Sequence, residues 1–222
     1  DQRTQMAADA NGHVDGPKAP LWIEFACSAP LANLCGAALI VGIYAITVAK
    51  VGTLVLPWQN AHQISLVLGT VLLSWSIRSL RLKPRRNSVV LLHKTLAFFG
   101  VVFMLIGGSI MWAVRSQRGK SHLVSWHSCI GAAVLLWAVA QMLVGISLQP
   151  QLYGEYFGIV RRSIGMYAAH SLSGYVFLLL VTIDLALGLW ETRWARNTVP
   201  TSVVALLTGL LAACVGPLYQ SL

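Results

Sequence analysis

Gly119-Lys-Ser-His-Leu-Val-Ser-Trp-His127, followed directly by the apolar run Ser128–Leu148, sets two histidines five residues apart. One lies in a connecting loop and the other just inside a long hydrophobic helix. An imidazole inside a membrane segment is costly unless something holds it, so His127 is a functional candidate by position alone. Whatever holds it has to come from elsewhere in the chain.

The surroundings are those of a multi-pass membrane protein. Of 222 residues, 56% are hydrophobic and only 10% charged, against roughly 25% charged in soluble domains. Six apolar runs, approximately Ala26–Ala49, Ala61–Ile77, Val89–Val114, Leu123–Leu148, Ile164–Trp190 and Val199–Leu218, each come near the ~20 residues that cross a bilayer as a helix. The expected fold is all-α, a six-transmembrane-helix bundle over residues 21–222, preceded by a disordered polar tail at residues 1–20. Cys27, Cys35, Cys129 and Cys214 lie in or beside apolar runs and form no C-x-x-C pair. That excludes a disulfide framework, a zinc site or covalent haem attachment and leaves them as small packing residues.

The net charge of +9 does not point to nucleic acid, because no soluble domain remains to present a basic face. Its distribution matters instead. In a six-span arrangement the side that holds the N-terminus receives Arg3, Lys18, Arg78, Arg81, Lys83, Arg85, Arg86, Lys94, Arg161 and Arg162; the other receives Lys50, Arg115, Arg118, Lys120, Arg193 and Arg196. Ten cations against six put both termini in the cytoplasm by the positive-inside tendency. Spans two and four then run inward, and spans three and five run outward.

With that orientation four histidines sort into two layers. His62 and His127 open spans two and four near the outer face, whereas His93 and His170 lie near the starts of spans three and five at the inner face. Steps of seven residues return nearly to the same helix face. They give the stripes His62, Gly69, Ser76 and His93, Gly100, Gly107, together with His127, Val134, Gln141 and His170, Phe177, Asp184. Gly131 and Gly174 follow one turn after their histidines. Small residues beside an inward imidazole leave room for a flat group, although small residues also line ordinary membrane helix contacts. A bare zinc ion would want four nitrogen or sulfur ligands and a hard cation would want carboxylates, and within the spans Asp184 is the only acid. Two haems, each held axially by one histidine pair, account for the pairing. Filling both axial positions favours electron transfer over dioxygen or substrate binding.

The residues Trp58-Gln-Asn-Ala-His62, Leu91-Leu-His93, Gly119-Lys-Ser-His-Leu-Val-Ser-Trp-His127 and His170-Ser-Leu-Ser-Gly-Tyr175, in this order on successive spans, resemble the cytochrome b561 family in its six-span stand-alone form. The five-residue spacing of the loop histidine is most similar to the short "domain-containing" branch. The resemblance implies two haem b groups, one between His62 and His127 on the non-cytoplasmic side and one between His93 and His170 on the cytoplasmic side. It also implies that cytosolic ascorbate gives an electron that passes to monodehydroascorbate or a ferric chelate across the membrane, and that the protein is a homodimer. In place of the aliphatic-Tyr-Arg stretch that some members carry, this chain has Ser79-Leu-Arg-Leu-Lys-Pro-Arg-Arg86, and His62 follows Ala61.

Arg78, Arg81, Lys83, Arg85, Arg86 and Lys94 would concentrate an anionic donor at the inner face, or meet anionic membrane lipid. Arg115, Arg118 and Lys120 would attract an anionic acceptor at the outer face, with His122 among them as the group that meets it. Asp184 should look toward the outer layer, to tune a haem, accept a proton or bond to another helix. Trp58, Trp112, Trp126 and Trp190 read as interfacial anchors. The competing readings are a metal-ion or proton transporter with a histidine relay, and a dihaem subunit that serves quinone.

Overall fold

The computed structural model describes residues 29–51, 60–82, 86–148, 164–191, 197 and 199–215. The expected tail at residues 1–20 lies outside them, as do Trp58, Lys83, Arg85, Arg161 and Arg162. In chain order the described helices are α1 (Pro30–Val51), α2 (Ala61–Ser79), α3 (Arg86–Gln117), α4 (Trp126–Ser147), α5 (Ile164–Glu191) and α6 (Thr201–Val215). Pro30 opens α1, and the carbonyl of Pro200 accepts the amides of Val203 and Val204 at the start of α6. Both are places where a missing proline N–H leaves no intrahelical bond unmade.

Four helices, α1, α3, α4 and α5, are long and apolar enough to cross a membrane. α2 falls outside that group because it carries Ser65, Thr70, Ser74, Ser76, Arg78 and Ser79, all of them buried. Its solvent is protein. Thr70 Oγ1 donates to Leu66 O at 2.9 Å, Ser79 Oγ to Ser76 O at 2.7 Å and Ser74 Oγ to Cys214 O of α6 at 3.2 Å. A polar helix is tolerated at membrane depth when its groups are satisfied internally in this way. α6 has 15 residues, about 22 Å of rise, and buries Leu207, Leu211 and Cys214. The central seam is apolar, with Leu39, Ile43, Val71, Leu178 and Leu211 almost wholly enclosed.

α2 and α3 form an antiparallel hairpin with a fixed register. His62 Nδ1 reaches Gly107 O at 2.8 Å, Gly69 meets Gly100, and Ser76 Oγ meets His93 Nδ1 at 2.8 Å. Each step of seven residues down α2 is a step of seven up α3. The two small-residue stripes therefore face each other instead of an open slot. A Cβ on Gly69 would stand 2.7 Å from Met104 Cγ and 2.8 Å from Gly100 O, and one on Gly107 would stand 3.1 Å from His62 O. These glycines let two backbones approach, as small residues do where membrane helices pack. Gly69→Ala should cost about 1–3 kcal/mol of stability through overpacking, read as a lower melting temperature in detergent. Gly209→Ala, whose Cβ would meet nothing within 4 Å, should leave it unchanged.

α4 and α5 form the second antiparallel pair. Here His127 sits against Gly188, and Gly145 against His170. The Tyr167 hydroxyl donates to Leu148 O at 3.1 Å, and Gln141 Nε2 donates to Ser173 Oγ in between. Each hairpin thus carries one histidine at either end.

Candidate functional site

At the end of the bundle where α3 passes into α4, the His62 and His127 rings lie with centroids 6.3 Å apart and planes at 69°. They come from different hairpins and face each other across a cavity of about 780 Å³, which Met104, Trp112, Arg115, His122, Asp184 and Gly188 also line. Both rings are anchored through Nδ1. His62 Nδ1 donates to Gly107 O, and His127 Nδ1 donates to Asp184 Oδ1 at 3.0 Å and Asp184 O at 3.1 Å. Because all of these partners accept, Nδ1 carries the proton and Nε2 the lone pair. That tautomer can ligate a metal, and the bond on the other nitrogen is what sets it.

The residues present fit a haem. Two metal–imidazole bonds near 2 Å, each extended by the radius of a five-membered ring, set ring centres about 6–6.5 Å apart. The observed separation of 6.3 Å falls in that range. A cavity of about 780 Å³ is also within the ~300–1,000 Å³ typical of cofactor sites.

At the opposite end, His93 Nδ1 donates to Ser76 Oγ at 2.8 Å and Ser76 O at 3.0 Å, while the Ser76 hydroxyl donates to His93 O at 2.9 Å. His93 is thus held in the same tautomer. His170 lies within electrostatic range of His93. Its Nδ1 is buried and finds no hydrogen-bond partner among the described residues. Space beside Gly174, one turn along α5, is open, since a Cβ there would meet nothing within 4 Å.

The sequence stripes assigned some glycines to the wrong neighbours. Gly131 accommodates Asp184, whose Oδ2 would lie 3.0 Å from a Cβ there. The glycines against the histidine rings are Gly188, where a Cβ would lie 3.1 Å from His127 Cε1, and Gly145, at 3.4 Å from His170 Cε1. A signal for both was present: Gly145 follows His127, and Gly188 follows His170, by 18 residues. Eighteen residues is five turns of helix, which places each glycine on the face of its own helix's histidine, at the depth of the other layer.

The loop of the opening stretch is well built. α3 ends in a Schellman motif, with Gly119 at φ +60° and the Gly119 and Lys120 amides donating to Ser116 O and Arg115 O, both at 3.0 Å. Glycine suits this left-handed position. α4 opens with a capping box in which Ser125 and Ser128 satisfy each other. Between these caps His122 stacks on Trp112, with centroids 3.9 Å apart and planes within 13°, and its Nε2 lies 3.1 Å from Ser116 Oγ. Leu123 holds φ +54°, a costly conformation for a residue with a side chain, and its carbonyl accepts the Cys129 thiol at 3.3 Å. Trp112 is accordingly a stacking partner of His122 as well as an exposed ring. Arg115 Nε donates to Ser121 O at 3.0 Å and lines the main cavity. Arg115, Arg118 and Lys120 share a smaller neighbouring pocket with Asn60 and Gln63.

Among the cations expected at the inner face, Arg78 departs from the rim. It is buried, and its guanidinium donates to Asn33 Oδ1 of α1 and, at 2.8 Å, to Cys214 O of α6. Its charge ties three helices together and is turned away from the solvent. Arg81 is exposed, with Nη2 3.5 Å from the Tyr175 hydroxyl, and Lys94 is half-buried. Arg86 begins α3.

A bundle of apolar membrane-length helices with imidazoles paired between two hairpins defines an integral membrane protein of the helical class. The family described as eukaryotic cytochrome b561 matches residues 57–196, the stretch that contains His62, His93, His127 and His170, and the chain belongs to this family. It is 30% identical over 170 residues to the "Transmembrane ascorbate-dependent reductase CYB561" of Homo sapiens, covering 71% of this chain and 64% of that protein. Over 128 residues it is 30% identical to the "Transmembrane reductase CYB561D2" of Bos taurus, covering 57% and 53%. It is 27% identical over 137 residues to the "Probable transmembrane reductase CYB561D1" of Mus musculus, covering 62% and 55%. The chain spans less than two thirds of the length of these relatives.

Proposed function

We propose that this protein is a transmembrane reductase with two bis-histidine haem b groups, His62 and His127 holding the outer one and His93 and His170 the inner one. The observation that carries this reading is the His62–His127 pair, set at ligating separation by two independent hairpins with both Nδ1 protons engaged. When bound, each haem carries one electron and, with both axial positions filled, offers no open iron site. The chain's own part is to fix the four imidazoles, exclude water from between the hairpins and gather anionic substrates at either face.

All six helices cross the membrane in this reading, α2 shielded by its neighbours, with both termini in the cytosol. Ascorbate is the cytosolic donor, in keeping with the name of the human relative. Arg81, Lys83, Arg85, Arg86 and Lys94 draw it to the inner face by their field. On the far side Arg115, Arg118 and Lys120 gather monodehydroascorbate or a ferric chelate, and His122, stacked on Trp112 at the cavity, meets it. The protein works as a homodimer. An electron moving outward is helped by an inside-negative potential, at ~2.3 kcal/mol per 100 mV for a full crossing.

Purified protein in vesicles loaded with ascorbate tests this. External ferric chelate should be reduced only where protein is present, and equal rates in protein-free vesicles would overturn the activity. His122→Ala should keep the full haem spectrum while slowing reduction of the external acceptor; loss of haem in that variant would mean that His122 and His127 exchange roles.

A further inference from the structure

The chain has seven acidic residues, and among the described residues Asp184 lies deep in a helix facing a histidine. It is buried, only 5% exposed. Its Oδ1 and its backbone carbonyl both accept the Nδ1 proton of His127. Its other oxygen fits a cradle that exists because position 131 is glycine, since a Cβ there would stand 3.0 Å from Oδ2. One turn further along α5, Gly188 lets the His127 ring lie against the helix. A carboxylate in this setting carries a desolvation cost that helix packing alone gives no reason to bear.

The partners of the other anchored histidines are uncharged. His62 donates to a backbone carbonyl, and His93 to the hydroxyl and carbonyl of Ser76. For His127 the carbonyl of residue 184 would already fix the tautomer, so the carboxylate supplies something more. A carboxylate on the far nitrogen of a ligating imidazole raises the ligand's basicity, and a more basic ligand favours the oxidised metal.

Resting on the two-haem reading above, we propose that Asp184 is a positioning residue for His127, which locks the ring toward the cavity and sets the outer haem at a lower potential than a neutral partner would. The asymmetry between Asp184 and Ser76 makes the two layers electronically distinct although each is a histidine pair. Gly131 and Gly188 belong to the same device, the first seating the carboxylate and the second the ring.

Redox titration of the purified holoprotein, followed by absorbance and by low-spin ferric resonance signals, tests this. Asp184→Asn keeps the shape and an oxygen acceptor but removes the charge. It should retain both haems and shift one midpoint upward, the one belonging to the haem that His127→Ala removes, with a change in that haem's resonance signal only. Ser76→Ala should act on the other haem alone. Loss of only the outer haem in Asp184→Asn would equally support a role through His127. Unchanged midpoints and signals would make Asp184 a helix-to-helix bond and overturn the inference, as would equal loss of both haems. Failure of the underlying reading is separately visible, since wild-type protein would then show no haem signal that His127→Ala removes.

Discussion

His127→Ala should remove the outer haem and with it about half of the haem absorbance, if two bis-histidine sites contribute equally. The substitution deletes one of two imidazoles whose ring centres stand 6.3 Å apart across the cavity, and leaves Asp184 with no imidazole to bond. His62, anchored by Gly107 O on the other hairpin, would be the only axial ligand, and a single neutral imidazole cannot fill both positions. The inner layer lies on the far side of the hairpins: His62 and Ser76 are 14 residues apart on α2, or about 21 Å of helix rise. It should therefore keep its absorbance. Quantifying haem against protein in the purified variant measures the effect, and full haem content would refute the pairing.

His93→Ala should be the more damaging change for activity. In the proposed two-haem arrangement it would take away the ligand set for the inner haem, and with it the relay between a cytosolic donor and the outer layer. Ascorbate inside vesicles should then reduce external ferric chelate no faster than protein-free vesicles do. A strong membrane-permeant chemical reductant should still reduce the remaining haem, which separates a broken path from a collapsed fold. Transfer at the wild-type rate in this variant would mean that the His93 layer is not on the route.

Much of this architecture was legible in the chain because its strongest signal is length: apolar runs near twenty residues announce helices whatever they pack against. Helix positions followed, and with them the meeting of His62 and His127 at one end of the bundle. What each glycine does was less legible. Gly69, Gly100 and Gly107 read equally as room beside a flat group or as helix contacts; they join α2 to α3, and the choice depends on the register of the neighbouring helix, which one helix's sequence does not contain. Steps of seven residues miss Gly145 and Gly188; the 18-residue spacing common to α4 and α5 reaches them. Arg78 was placed on the inner rim by its position at the end of a run. It turns inward instead because Asn33 and the carbonyl of Cys214, both distant in sequence, offer it acceptors. Contacts of that range are invisible to local patterns.

The direct test of the account is the haem count of purified wild-type protein, together with its absorbance before and after ascorbate. Two haem b per chain, both low-spin and reduced by ascorbate, is the result that the two histidine layers require. A folded preparation that binds no haem, or one haem whose spectrum is untouched when His62 and His127 are replaced, would contradict it.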